Sequence, residues 1–76
     1  NPFSDRTSIQ YYLPNKGLVK VRLFDIDGRI LYSSSKSMNE GWNEEKIDVE
    51  TIDKRGLIYY EIEFNGHKEI KKMLII

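Results

Sequence analysis

The stretch "LIYYEIEFNGHKEIKKMLII", residues 57–76, decides how this chain folds. Ile58, Tyr60, Ile62 and Phe64 recur at every second position, with Tyr59, Glu61 and Glu63 between them. Successive side chains of a strand point to opposite faces, so this spacing predicts a strand with one apolar face and one mixed face. Asn65-Gly66 comes next, and both residues tolerate the positive φ that a two-residue hairpin turn requires. "HKEIKKMLII" is then the returning strand. Ile70, Met73, Leu74, Ile75 and Ile76 cannot all face inward on a two-residue period, so some are expected to stay exposed or to sit at a bulge. Chain ends are commonly polar and frayed, so an apolar end behind Lys71 and Lys72 is expected to be packed, inserted or read by something.

Outward from that hairpin the same signals repeat. "TSIQYYL" places Ile9, Tyr11 and Leu13 on one face, and "PNKG" turns the chain. "LVKVRLFDI" sets Val19, Val21 and Leu23 inward against outward Lys20 and Arg22, the pattern of a half-buried strand. Asp27-Gly28 reads as a second two-residue primed turn, with "RILYSSS" returning. "KSMNEGWNEE" reads as a polar loop and "KIDV" as a short strand. In "ETIDKRG" Ile52 is expected to plug the core and Gly56 to end the turn. No dozen residues carry a helical apolar stripe between caps. Short strands separated by turn residues predict a single domain over residues 1–76, an all-β, small antiparallel immunoglobulin-like sandwich of about six to seven strands.

Composition narrows the function. Twelve Lys and Arg balance twelve Asp and Glu, so no general attraction to nucleic acid is expected. Cysteine is absent, which removes disulfides and thiolate chemistry. A membrane-spanning helix takes roughly 20 apolar residues, and "MLII" is far shorter, so direct membrane insertion is not expected. "NPFSDRTSIQ" lacks the basic and apolar regions of a signal peptide, and an opening on Asn-Pro suggests a piece of a longer protein.

Catalysis needs a nucleophile, a base and an orienting group in one pocket. His67, the sole histidine, sits one residue past a predicted turn, where exposure is expected. "DIDG" at 25–28 lacks the third acidic position of a calcium loop and reads better as a turn. No catalytic, cofactor or metal residue is therefore assigned. Trp42 is expected to cap the open end of the sandwich, with stacking on a sugar ring as the other reading. Lys68, Lys71 and Lys72 fit either a guarded edge strand or a recognition feature.

Taken in order, "NPF", "T.I.Y.LP..G.V.V.LFD..GR", "G.IYYEI…NG" and "KKMLI" resemble the type A C-terminal sorting domain of the Bacteroidetes type IX (Por) secretion system, over essentially the whole chain. Asn1 and Pro2 match the opening Pro-Asn-Pro of that family. Asp25, Gly28 and Arg29 match its Asp-x-x-Gly-Arg hairpin, Gly56 the glycine of its Gly-x-Tyr motif, and Lys72 with Met73 to Ile76 its terminal lysine and apolar strand. Asn65 and Gly66 hold the last turn. The chain departs from the pattern at Ile58, which stands where the family has tyrosine.

The resemblance implies a non-catalytic address tag that directs a larger cargo through the periplasm and the outer-membrane translocon to the cell surface or medium. A sortase-like peptidase then usually removes the tag upstream of Asn1. Lys71, Lys72, Met73, Leu74, Ile75 and Ile76 become the expected recognition residues, and the translocon and peptidase the expected partners. A reading from a different class is an accessory carbohydrate-binding or adhesive sandwich using Trp42, Tyr12 or Tyr59. An isolated sandwich with open edges is also able to pair as a dimer.

Overall fold

The computed structural model describes residues 2–3, 6–52 and 55–75. Among them run β1 (Pro2–Phe3), β2 (Arg6–Leu13), β3 (Gly17–Phe24), β4 (Ile30–Met38), β5 (Gly41–Asp48), one helical turn α1 (Val49–Ile52), β6 (Gly56–Phe64) and β7 (His67–Ile75). One sheet has the order β1-β7-β6-β3-β4, and β2 pairs with β5 in a two-stranded sheet. The ladders are antiparallel except β1 with β7, where Pro2 and Phe3 lie parallel to Leu74 and Ile75. That pairing departs from the antiparallel expectation. Two residues carry no readable period, so a strand this short leaves no mark in the sequence.

The core lies between the sheets. Ile9, Tyr11 and Leu13 of β2 and Ile47 of β5 meet Val19, Val21 and Leu23 of β3, Ile58 of β6, and Met73 and Ile75 of β7. Ile52 on α1 is buried beside them, as its place in the connection predicts. Burying an aliphatic side chain of this size contributes about 1.5–3 kcal/mol, so these strand faces stabilise the fold more than any turn does.

The two hairpins are built differently. Asn65 (φ 51°) and Gly66 (φ 75°) both take positive φ, and Phe64 pairs directly with His67 across the expected two-residue turn. The first hairpin departs from its prediction. Phe24 pairs with Ile30 across a five-residue connection, and only Gly28 of it has positive φ (86°). Its organiser is Asp25, which is buried. The Asp25 carboxylate accepts from the backbone N–H groups of Asp27 and Arg29, both at 3.0 Å, while the Gly28 N–H donates to the Asp25 carbonyl at 3.0 Å. An aspartate able to bond its own turn outcompetes the tighter geometry that Asp-Gly favours alone. Leu31 is the extra residue on β4 where the register shifts between Leu23 and Phe24.

The expected polar loop at 36–45 is instead the end of β4 and the start of β5, separated by Asn39 and Glu40. β4 stays with β3 while β5 pairs with β2, so the chain changes sheet at this corner. The Asn43 side-chain amide clasps it, donating to the carbonyls of Asn39 at 2.8 Å and Gly41 at 3.2 Å. Glu45, expected to be solvated, is only 2 % exposed. It accepts from the Tyr32 hydroxyl and lies 3.4 Å from the Lys36 ammonium, tying β5 to β4 across the sandwich. Burial raises the Tyr32 pKa above its ordinary value, and the Glu45 hydrogen bond and charge push the same way. Tyr11 is raised too, by burial and then by Glu45.

Candidate functional site

The β6–β7 hairpin holds the residues expected to be read. β7 pairs with β6 along its whole length, from Phe64↔His67 to Gly56↔Ile75, with no bulge. Regular alternation therefore divides its side chains. His67, Glu69, Lys71, Met73 and Ile75 share the face of Ile58 and Ile62, and Lys68, Ile70, Lys72 and Leu74 share the face of Leu57 and Tyr59.

On the first of these faces the strand changes character along its length. Met73 (5 % exposed) and Ile75 (2 %) are locked in the core. His67, Glu69 and Lys71 point the same way but are exposed. They border a cleft of about 530 Å³ that β2 closes on its other side with Gln10, Tyr11 and Leu13. A two-stranded sheet is too narrow to cover all of a five-stranded one, and the start of β7 is what it leaves bare. The Lys71–Glu69 pair at 3.5 Å is exposed on both sides, the kind of contact that holds little energy.

The second face is the outer surface of the large sheet. Ile70 (57 % exposed) and Leu74 (47 %) flank Lys72, and Leu57 pairs with Leu74 across the strands. Tyr59 pairs with Lys72 and stacks on Phe24, ring centroids 5.9 Å apart and 20° from parallel. Arg22 is bonded to Glu61 and lies 3.4 Å from Glu63, which occupies the two acidic residues of β6 nearest the row. Lys72 makes no ion pair among the described residues. A cation between two exposed aliphatic side chains, with an aromatic residue beside it on the next strand, suits a partner that offers an apolar contact and a carboxylate or carbonyl together.

Lys71 and Lys72 fall on opposite faces, Met73 and Ile75 are buried, and Leu74 is the exposed member of the apolar run among the described residues. Asp25, Gly28 and Arg29 form the first hairpin's turn, Gly56 pairs with Ile75, and Asn65-Gly66 joins β6 to β7. Pro2 lies in β1 beside Leu74. Asn1 and Ile76 fall outside the described residues. Trp42 does not cap the sandwich: it is 75 % exposed on the outer face of the small sheet. Ile70 is exposed, as one of the apolar residues that a two-residue period cannot bury. Sequence reasoning missed Leu57, Tyr59 and Phe24 as companions of Lys72, because their meeting depends on strand register.

Beyond its end at Leu74 and Ile75, the edge of β7 away from β6 has no strand partner among the described residues. Lys68, Lys71 and Lys72 stand along that open strand, the usual guard against uncontrolled pairing. Among the described residues no group of His, Cys, Asp or Glu is placed to hold a metal ion, and no helix is long and apolar enough to cross a membrane.

No curated protein and no solved structure matches the chain. The family model described as "Secretion system C-terminal sorting domain" matches residues 1–76. With a match of that extent, on a sandwich of this construction, the chain belongs to the type IX secretion system C-terminal sorting domain family.

Proposed function

We propose that residues 1–76 act as one sorting domain at the C-terminal end of a larger exported protein, and that β7 is the part the secretion machinery reads. In this reading the domain works by being bound and supplies no catalytic group. Its cargo passes through the periplasm and the outer-membrane translocon to the surface or the medium. A sortase-like peptidase then releases the domain by cutting ahead of Asn1. The observation that carries the reading is the exposed Ile70–Lys72–Leu74 row, standing on a strand whose Met73 and Ile75 are anchored in the core of a chain from this family. Anchoring matters because a preorganised row is bound without the entropic cost of ordering a loose tail. Lys71 offers a second charge on the opposite face of the same strand.

The test is export of a cargo fused ahead of this domain. Lys71→Ala with Lys72→Ala removes two exposed charges and should cost under about 0.5 kcal/mol of stability. The expected result is cargo held in the periplasm by a folded domain; surface delivery at the wild-type level would rule the assignment out. Deleting residues 68–76 should block export too, but it also removes core side chains, so the lysine pair is the informative variant. Mass spectrometry of delivered cargo checks the second half: the released protein should lack residues 1–76.

A further inference from the structure

The exposed aromatic pair on the small sheet plays no part in that reading. Tyr12 and Trp42 are direct cross-strand partners, 55 % and 75 % exposed. Their rings meet edge to face, centroids 5.6 Å apart and 68° between planes, so each holds the other's orientation. The next pair on the same face is Gln10 with Glu44, followed by Ser8 with Lys46. Two residues along a strand is about 7 Å, within reach of a Gln or Glu side chain from a ring lying on the aromatic corner. Two hollows adjoin this corner. One, about 270 Å³, is lined by Gln10, Trp42, Asn43 and Glu44. The other is the 530 Å³ cleft already described, and Gln10 and Trp42 border both. The smaller hollow lies just under the size of about 300 Å³ at which clefts for small ligands begin, and the larger one falls within that range, so an oligosaccharide that spans both is a better fit than one ring in the smaller alone.

We propose that this corner is a glycan-binding site, taking neutral pyranose rings against Trp42 and Tyr12 with Gln10 and Glu44 bonding their hydroxyls. A pyranose has an apolar C–H face and a rim of hydroxyls, which matches an aromatic platform bordered by donors and acceptors. A protein partner matches it poorly. Specific interfaces bury about 800 Å² on each side around an apolar centre, and away from the two rings this face carries Ser8, Gln10, Glu44, Lys46 and Asp48. Glu44 and Asp48 stand against Lys46 among the described side chains, so the face does not favour an anionic sugar.

Trp42 is the sole tryptophan, so tryptophan emission, excited selectively over the five tyrosines, reports on this site. Titration with cellohexaose, a mannan oligosaccharide and polygalacturonate is expected to give a saturable shift with a neutral probe at roughly millimolar concentration. Tyr12→Ala should weaken that binding about tenfold and Gln10→Ala about threefold, with the fold intact because both side chains are exposed. Trp42→Ala, followed by titration calorimetry, should abolish it. A neutral glycan presented on a cell-surface polysaccharide should bind like the soluble oligosaccharide of the same sugar. No shift with either neutral probe at about 10 mM overturns the site, as does unchanged affinity in Tyr12→Ala. A shift that follows protein concentration without sugar assigns the face to a second copy and overturns it equally. Export of a cargo carrying Tyr12→Ala should be normal, which separates this site from the role of β7.

Discussion

The β3–β4 and β6–β7 hairpins belong to one sheet, adjoin through β3 and β6, and are held together in opposite ways. The first closes on a buried carboxylate, gains a second tie where Tyr32 and Lys36 meet Glu45, and is bridged to β6 by Arg22. The second has a bare two-residue turn and a strand whose Ile70, Lys72 and Leu74 face solvent. Polar contacts made inside the fold favour one structure, because a buried group left unbonded is costly. Exposed apolar side chains, which contribute little to stability, stand on both hairpins, Leu18, Ile26 and Ile30 on the first and Leu57, Ile70 and Leu74 on the second, where Ile70 and Leu74 flank Lys72. The β3–β4 hairpin is thus tied by polar contacts inside the fold, while the β6–β7 hairpin is anchored through Ile58, Met73 and Ile75 in the core.

Substitutions can separate those roles. Ile75→Ala should have the largest effect, about 2–5 kcal/mol in urea unfolding, because it empties a core position 2 % exposed. It would impair export through the fold, and a destabilisation below about 1 kcal/mol would show that the end of β7 is not anchored. Asp25→Ala comes next, at about 2–3 kcal/mol, since two backbone N–H groups lose their acceptor at a buried turn. Its export defect should follow the loss of folded protein and recover at lower temperature. Leu74→Ser should have the smallest effect on stability, under about 1 kcal/mol for a residue 47 % exposed, yet it should reduce export as a core substitution does. Normal export with Leu74→Ser would remove the exposed row from the signal and break the contrast between the hairpins.

Much of this was legible in residue order. The faces of β2, β3 and β6, the Asn65-Gly66 turn and the apolar surplus of the last strand all follow from side-chain alternation and the φ preferences of turn residues. Other features misled for identifiable reasons. Asp27-Gly28 is a strong local signal for a two-residue turn, whereas the buried Asp25 carboxylate favours a longer loop. The β4–β5 corner has the mostly polar composition of a loop, which hides its two strand ends. Trp42 was expected under cover, but its register with Tyr12 puts it on the outside of the narrow sheet.

The sequence by itself determined which side chains share a face, where the last hairpin turns, and that the final strand carries more apolar residues than one face can bury. These are properties of neighbouring residues and of a period of two. Only the tertiary structure decided which sheet each strand joins, that Glu45 is buried between Tyr32 and Lys36, and that Ile70, Lys72 and Leu74 stand beside Leu57 and Tyr59. Pairing and burial depend on residues far apart in the chain, and a narrow sheet laid on a wide one leaves bare positions that local pattern does not encode.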